Sequence, residues 1–408
     1  MANRPYPVIT VNEKAARSLR AGHPWVYGAE TSGPDRPCQN GDLVDVVSQK
    51  GRWLGTGLYN NHSKILVRLL SRNTNDRFDE GFWRRRLRYA LDYRKTVMGP
   101  DYACCRLIFG EADQFPGLTV DRFGDILVTE VLSLGMEVRK DLLYPLLVDL
   151  LREDGVTVRA IYERSDAPLR DKEGLPKVTG FYPLPGLATD LDGHLLLEEN
   201  GIRYDVDYLH GQKTGFFLDQ KYNRRAAAAL APGRKVLDCF THTGAFALNC
   251  AQAGAAQVTA VDISQEAVAL TQRNAALNGL EGKVEARQAD VFDLLTQLAQ
   301  AGGHPYDYII LDPPAFTKSG ATVKNAFRGY KEINYKAMKL LPRGGYLATC
   351  SCSHFMTPAL FCQMLREAAA DAAVSLRQIA DRRQAPDHPI LWGVPETEYL
   401  KFYLFQVI

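Results

Sequence analysis

Lys235-Val236-Leu237-Asp238-Cys239-Phe240-Thr241-His242-Thr243-Gly244-Ala245 is an apolar, β-branched run that ends on an aspartate, turns through a glycine and enters a helical pattern. The same grammar then repeats. Ala245–Gln252 reads as a helix, Val258–Asp262 as a strand and Gln265–Asn278 as a helix, and Val284–Asp290, Tyr308–Asp312 and Tyr346–Cys350 read as further strands. Strands alternating with helices predict an α/β fold, a parallel doubly wound sheet with right-handed crossovers. Leu400–Val407 closes the chain as another strand, and an Asn200-Gly201 turn marks a hairpin ahead of the sheet.

In such a sheet a ligand lies beyond the carboxyl ends of the strands. Gly244 lets backbone approach a ligand at a helix start, within a loop that also holds Phe240 and Thr243. Asp262 ends the next strand, where a carboxylate can accept both hydroxyls of a ribose, and Asp290 follows the third, placed to meet an adenine edge. Without a Gly-x-Gly-x-x-Gly run a pyrophosphate has no cradle, which argues against a nicotinamide dehydrogenase. Asp238 can balance the ammonium of a sulfonium amino acid, so the set points to S-adenosylmethionine. A single aspartate at a strand end is more often a turn former or helix cap; three in register carry the reading. Gly211-Gln212-Lys213-Thr214 is no phosphate loop, because the residue before Lys213 is Gln.

Asp312-Pro313-Pro314-Ala315-Phe316 follows the apolar Tyr308–Leu311. Its prolines stiffen a turn that would project a carboxylate, with Phe316 as a stacking ring, towards an extruded nucleobase. Thr349-Cys350-Ser351-Cys352-Ser353 ends the fifth strand. Cytosine C5 is a weak nucleophile until a thiolate adds at C6, and Asp312 could hold N3 and the exocyclic amine while it does. Cys352, nearer the carboxyl end, is preferred to Cys350 as that nucleophile. Cys239, Cys250 and Cys362 read as small buried hydrophobes. Cys-x-Cys lacks a second pair at ligand spacing, so no metal is expected.

Upstream, residues 1–75 form short strands with Gly/Asn turns, a pattern that predicts a small barrel. Residues 76–190 read as a middle α+β domain and 191–408 as the α/β domain. Residues 1–99 carry a net charge of +8 against −6 for the rest. A basic first quarter suits a polyanion-binding module, with Arg84, Arg85, Arg86 and Arg88 as candidate phosphate contacts, although a solvated basic face accounts for it equally well. No apolar run is long enough for a membrane span, and the start, Met1-Ala2-Asn3-Arg4-Pro5, leads into no signal sequence. Eight irregularly spaced cysteines suggest a reduced, cytoplasmic setting.

The chain resembles the bacterial PUA-domain-containing class I methyltransferases that form 5-methylcytosine in 23S ribosomal RNA. The likeness rests on His23-Pro24-Trp25-Val26, Phe109-Gly110-Glu111-Ala112-Asp113, Pro116 through Asp125, Gly211 through Gln220, Asp312-Pro313-Pro314, Ser351-Cys352-Ser353 and Asp387-His388-Pro389. It implies a PUA-like barrel and a Rossmann-like catalytic domain. It also implies a cofactor pocket using Lys213, Thr214, Phe217, Asp219 and Gln220 with the three aspartates, and Cys352 as nucleophile. It implies 23S ribosomal RNA as substrate and leaves a homodimer open. Many RNA cytosine-C5 methyltransferases carry a second cysteine directly after Pro-Pro; here that position is Ala315. A guanine N-methyltransferase, which needs no cysteine, and a non-catalytic RNA-binding protein are the alternatives.

Overall fold

The computed structural model describes residues 4–317 and 319–408; the first three residues, read above for a leader, lie outside them. The chain divides into two units: residues 1–195, 207–216 and 386–397 form one, and residues 196–206, 217–385 and 398–408 the other.

The first unit holds two sheets. One contains β1 (Val8–Val11), β2 (Trp25–Tyr27), β3 (Thr31–Pro34), β4 (Leu43–Ser48), β5 (Trp53–Tyr59) and β6 (Ile65–Ser71), in the order β2-β6-β5-β4-β1-β3. Helix α1 (Glu13–Arg20) buries Ala15, Ala16 and Leu19 in its core with Val26, Val44, Val46 and Val67. Asn12 caps α1 by accepting from the Ala15 N–H at 3.0 Å. The long helix α2 (Glu80–Met98) starts at Asp79, whose carboxylate accepts from Phe82 N, and stops at Gly99.

The second sheet contains β7 (Cys104–Phe109), β8 (Leu118–Phe123), β9 (Ile126–Val131), β10 (Ala160–Ser165) and β11 (Val178–Phe181), in the order β11-β10-β9-β8-β7. Helices α3 (Leu134–Glu137) and α4 (Lys140–Glu153) cross over between the parallel strands β9 and β10. Its distinctive strings meet in one buried polar network. Asp121 accepts two bonds from Arg106, at 2.7 and 2.8 Å, and one from Thr214 Oγ1 at 2.6 Å. Arg94, fully buried, pairs with Asp113 and donates to Asp387 O, while Asp387 accepts from Arg106 N at 2.8 Å. Removing one partner of such a network strands a buried charge.

The second unit takes most of hairpin β12 (His194–Glu199) and β13 (Ile202–Asp207), whose turn residues Asn200 and Gly201 have φ of 55° and 76°. Next come α5 (Lys221–Ala228), β14 (Lys235–Cys239), α6 (Ala245–Gln252), β15 (Gln257–Asp262), α7 (Gln265–Leu277), β16 (Val284–Gln288), α8 (Val291–Ala301) and β17 (Tyr308–Leu311). After them follow α9 (Val323–Leu340), β18 (Tyr346–Ser351), α10 (Pro358–Asp371), β19 (Leu376–Arg382) and β20 (Lys401–Val407). The sheet order is β16-β15-β14-β17-β18-β20-β19. Strands β14 to β18 are parallel, with Cys239 opposite both Val261 and Leu311, and Leu311 opposite Thr349. The carboxyl ends of β14, β15, β17 and β18 therefore share one edge. The sheet departs from a wholly parallel one at β20, which runs antiparallel to β18 and β19. The β19–β20 connection carries no crossover helix, so the chain returns in the opposite sense.

Candidate active site

Asp238 sits on β14 with its carboxylate buried. Its Oδ2 accepts from Thr241 Oγ1 at 2.6 Å and Ala247 N at 3.0 Å, while Oδ1 has no hydrogen-bond partner among the described residues. Burial, with Asp312 and Asp262 nearby, pushes this carboxyl up to about 7. A cationic group at Oδ1 would both satisfy the orphaned oxygen and restore the charge. The loop beyond is tightly wound: Phe240, His242 and Gly244 have φ of 64°, 51° and 77°. A Cβ on Gly244 would lie 2.7 Å from Thr271 Cγ2, so the loop's close passage over α7 requires glycine there. Thr243 is buried, and its carbonyl accepts from Asn274.

Asp262 Oδ2 accepts from His242 N at 2.9 Å and Oδ1 from Ser264 N at 3.0 Å, which fixes the carboxylate at the strand end. Burial lowers the His242 imidazole to about 4, so it is neutral at pH 7. Asp290 lies two residues past β16 and caps α8: its Oδ1 accepts from Phe292 N and Asp293 N. Its cap function and its exposure coexist, since only one of the two oxygens is used. Beside Asp262, Ile263 is 65% exposed, an apolar surface able to cover a flat ring, which the strand reading overlooked.

At the neighbouring strand end, Asp312 Oδ1 accepts from Gln220 Nε2 at 3.1 Å, and Gln220 is held by Asn223 at 2.7 Å. Burial and the Asp219 carboxylate, partly opposed by Arg224, push Asp312 up to about 6. Asp219 accepts from Tyr399 OH at 2.6 Å. The Phe217 ring stands edge-on to His242 at 5.1 Å. Phe316 differs from the expectation of a ring offered to a substrate. It packs on Tyr330 at 4.5 Å, with Phe240 and Phe292 around it, because the turn lies over an aromatic cluster that half-buries its ring. Pro313 is buried and Pro314 exposed.

The two cysteines separate cleanly. Cys350, opposite Phe402 in the sheet, is wholly buried against Asp312 and Gln220, and burial pushes its thiol far up. Cys352 lies just past β18 and is partly exposed. The strand ends at Ser351, so Cys350 lies within it and Cys352 beyond it. Ser351 Oγ donates to Tyr330 OH, and Ser353 Oγ donates to Thr317 O at 2.9 Å, tying the cysteine loop to the Asp312–Thr317 loop.

Lys213 and Thr214 belong to the first unit, where Thr214 is bonded to Asp121, whereas Phe217, Asp219 and Gln220 belong to the second. The α2 arginines are not free charges. Arg84 pairs with Glu153, Arg85 with Asp76 at 3.0 Å, and Arg88 with Glu153 and Asp154 at 3.0 and 2.8 Å. Arg86 instead donates to Leu70 O at 2.7 Å and to Gln114. Counting charges along one helix misses this, because the acids come from α4 and its end and from the β6–α2 connection.

Residues 189–406 match the S-adenosylmethionine-dependent methyltransferase family, and residues 9–72 match a PUA-like domain. Proteins named ribosomal RNA large subunit methyltransferase I are similar along nearly the whole chain. The one from Shewanella denitrificans is 42% identical over 94% of this chain and 95% of its own length. The one from Klebsiella pneumoniae is 37% identical over all of both. The chain belongs to the ribosomal RNA large subunit methyltransferase I family. A Streptococcus mutans structure assigned to the S-adenosylmethionine-dependent methyltransferases superposes with a TM-score of 0.82 at 21% identity, over 98% of this chain and 99% of that one, which shows the shared fold. This methyltransferase uses S-adenosylmethionine. The orphaned Asp238 oxygen, the Gly244 passage, Asp262 and exposed Ile263 fit it: ammonium, backbone approach, ribose and ring face in turn.

Proposed function

We propose that the protein methylates cytosine C5 in 23S ribosomal RNA through a covalent adduct on Cys352. The observation that carries this reading is the contrast between two cysteines two residues apart. Cys350 is sealed against Asp312, whereas Cys352 opens to solvent on a loop tied to the Asp312 turn. A buried thiol with a raised pKa is inert, and a partly exposed one can attack. The methyltransferase relatives named for ribosomal RNA support the substrate class.

The bound cofactor supplies an electrophilic methyl group. The protein's residues prepare the base to receive it. Cys352 as thiolate bonds to C6 of the cytosine, and the electron pair of the 5,6 double bond is released towards C5 as N3 gains a proton. Asp312, whose carboxyl burial pushes up to about 6 and which Gln220 steers, would give N3 that proton or hydrogen bond. Once C5 carries the methyl group, its proton leaves to a base, the 5,6 double bond re-forms, the C6–S bond breaks to release the Cys352 thiolate, and N3 returns its proton to Asp312. That base is not a thiol at position 315, which is alanine.

The test is labelled methyl transfer to unmodified 23S RNA by wild type and Cys352→Ala, with digestion to nucleosides. 5-Methylcytidine from wild type and none from the variant is expected. Label in a guanosine derivative, undiminished in the variant, would overturn the reading in favour of nitrogen methylation.

A further inference from the structure

Trp392 is 97% exposed on a loop that is firmly anchored within the first unit. Leu391 N donates to Thr397 Oγ1 at 2.9 Å, and Val394 N donates to Leu391 O at 2.7 Å. Gly393 packs backbone to backbone on Gly22, where a Cβ on either residue would fall within 3.2 Å of the other's main chain. A fixed loop that leaves an indole in water forgoes the burial an aromatic ring normally gains.

Gly22 and Leu391 also line a cavity of about 340 Å3, walled by Arg72 and Arg86. It adjoins one of about 460 Å3, shares Arg86 and Gln114 with it, and there meets Tyr89, which is 62% exposed. Both volumes lie in the ~300–1,000 Å3 range of small-ligand pockets. Arg72 donates to Gly22 O at 2.9 Å and His23 O at 3.1 Å, and Arg86 to Leu70 O and Gln114. Among the described residues neither arginine has a carboxylate within ion-pair distance, unlike Arg84, Arg85 and Arg88. Asp76, on the same wall, is engaged by Arg85.

We propose that this cleft and Trp392 bind a single-stranded segment of the RNA substrate, with an unstacked base on the indole and phosphates at Arg72 and Arg86. It rests on the reading that the substrate is RNA. The acids that line the two cavities are engaged elsewhere, Asp76 by Arg85, Glu111 by Trp25 and Asp113 by Arg94, and aromatic faces beside cations are what sequence-tolerant single-strand binding uses.

The experiment titrates the full chain with a labelled single-stranded oligoribonucleotide and with the same sequence as a duplex, alongside methyl transfer to 23S RNA. All four tryptophans lie in the first unit, so the Trp392 signal is the difference between wild type and Trp392→Phe. Quenching by the single strand and less by the duplex is expected. Trp392→Ala should weaken single-strand binding by ~10-fold, with Trp392→Phe near wild type. Arg72→Ala should lower the slope of log affinity against log salt by about 0.7, the value for one single-strand phosphate. Unchanged affinity in Trp392→Ala with an unchanged slope in Arg72→Ala, in a protein that still methylates RNA, overturns the inference alone. Failure of wild type to methylate any RNA overturns the reading beneath it.

A second inference rests on Lys401. It is a buried lysine at the start of the largely apolar β20, opposite Ser351 in the sheet. Its Nζ donates to Ser353 O at 2.6 Å and Tyr399 O at 2.7 Å, so the ammonium is pinned to the backbone directly after Cys352. We infer that Lys401 is a positioning residue for Cys352, fixing the loop and favouring the thiolate. Burial lowers the ammonium to about 8; Cys352 is the largest opposing influence, with Arg383 acting against the charge and Glu398 for it.

Peptide-resolved alkylation of Cys352 against pH, without RNA, tests this. In Lys401→Met the midpoint should rise by about one unit, and Lys401→Arg should restore it. Should Lys401→Met not fold, Lys401→Gln, which keeps a donor without the charge, decides the same question. A neutral variant whose profile superimposes on wild type overturns the inference.

Discussion

Gly244→Ala isolates what the cofactor loop demands of its backbone. At φ of 77° an L-residue incurs about 1–2 kcal/mol that glycine does not. The added Cβ would also stand 2.7 Å from Thr271 Cγ2 and 3.1 Å from Oγ1. Thr271 is fully buried and bonded through Oγ1 to His242 O, so it cannot swing away, and forcing space there costs ~1–3 kcal/mol. The two effects together predict ~2–5 kcal/mol lost around α6. Thr271→Ser removes Cγ2 and keeps the hydroxyl, so it should recover the steric part and leave the left-handed part. Tryptophan fluorescence cannot follow this, since no tryptophan lies in the second unit. Native-state hydrogen exchange of peptides spanning Ala245–Gln252 can, read beside calorimetric affinity for S-adenosylmethionine. Protection in Gly244→Ala within ~0.5 kcal/mol of wild type, or no recovery in the double variant, would refute the reasoning.

Asp238, raised to about 7, keeps a proton that the unfolded chain has lost above its ordinary carboxyl range, so its contribution to stability falls as pH rises from about 4 to 7 and is flat above. Urea unfolding followed by circular dichroism should show that decline shrink in Asp238→Asn, and cofactor affinity should rise from pH 6 to 8 in wild type but not in the variant. Ser353→Ala removes the bond to Thr317 O and should cost about 1 kcal/mol while slowing methyl transfer, because the two loops lose their tie; unaltered turnover would separate the loops functionally. Arg84→Ala should change stability by less than about 1 kcal/mol, its partner Glu153 being a surface residue, and should leave the salt slope of RNA binding unaltered; a slope lower by a full phosphate would return Arg84 to the interface.

The sequence by itself determined the local elements of the second unit and the residues at their ends. Hydrophobic period and glycine position are properties of short windows, so Asp238, Asp262 and Asp312 could be placed at strand ends, and Gly244 at a helix start, without a structure. It also established that Cys350 and Cys352 were the pair to weigh. Tertiary structure gave the two their different surroundings, because exposure depends on where β18 stops and on what Asp312 and Gln220 pack against. It decided that β20 runs antiparallel, since strand direction follows from the connection rather than from composition. Phe316 in an aromatic cluster, Lys401 on the carbonyl after Cys352, and arginines of α2 neutralised by Asp76, Glu153 and Asp154 were invisible along the chain. Each depends on partners between 9 and 76 positions distant, from Arg85–Asp76 to Phe316–Phe240, and a side chain's charge or ring acquires its role only when folding selects its neighbours.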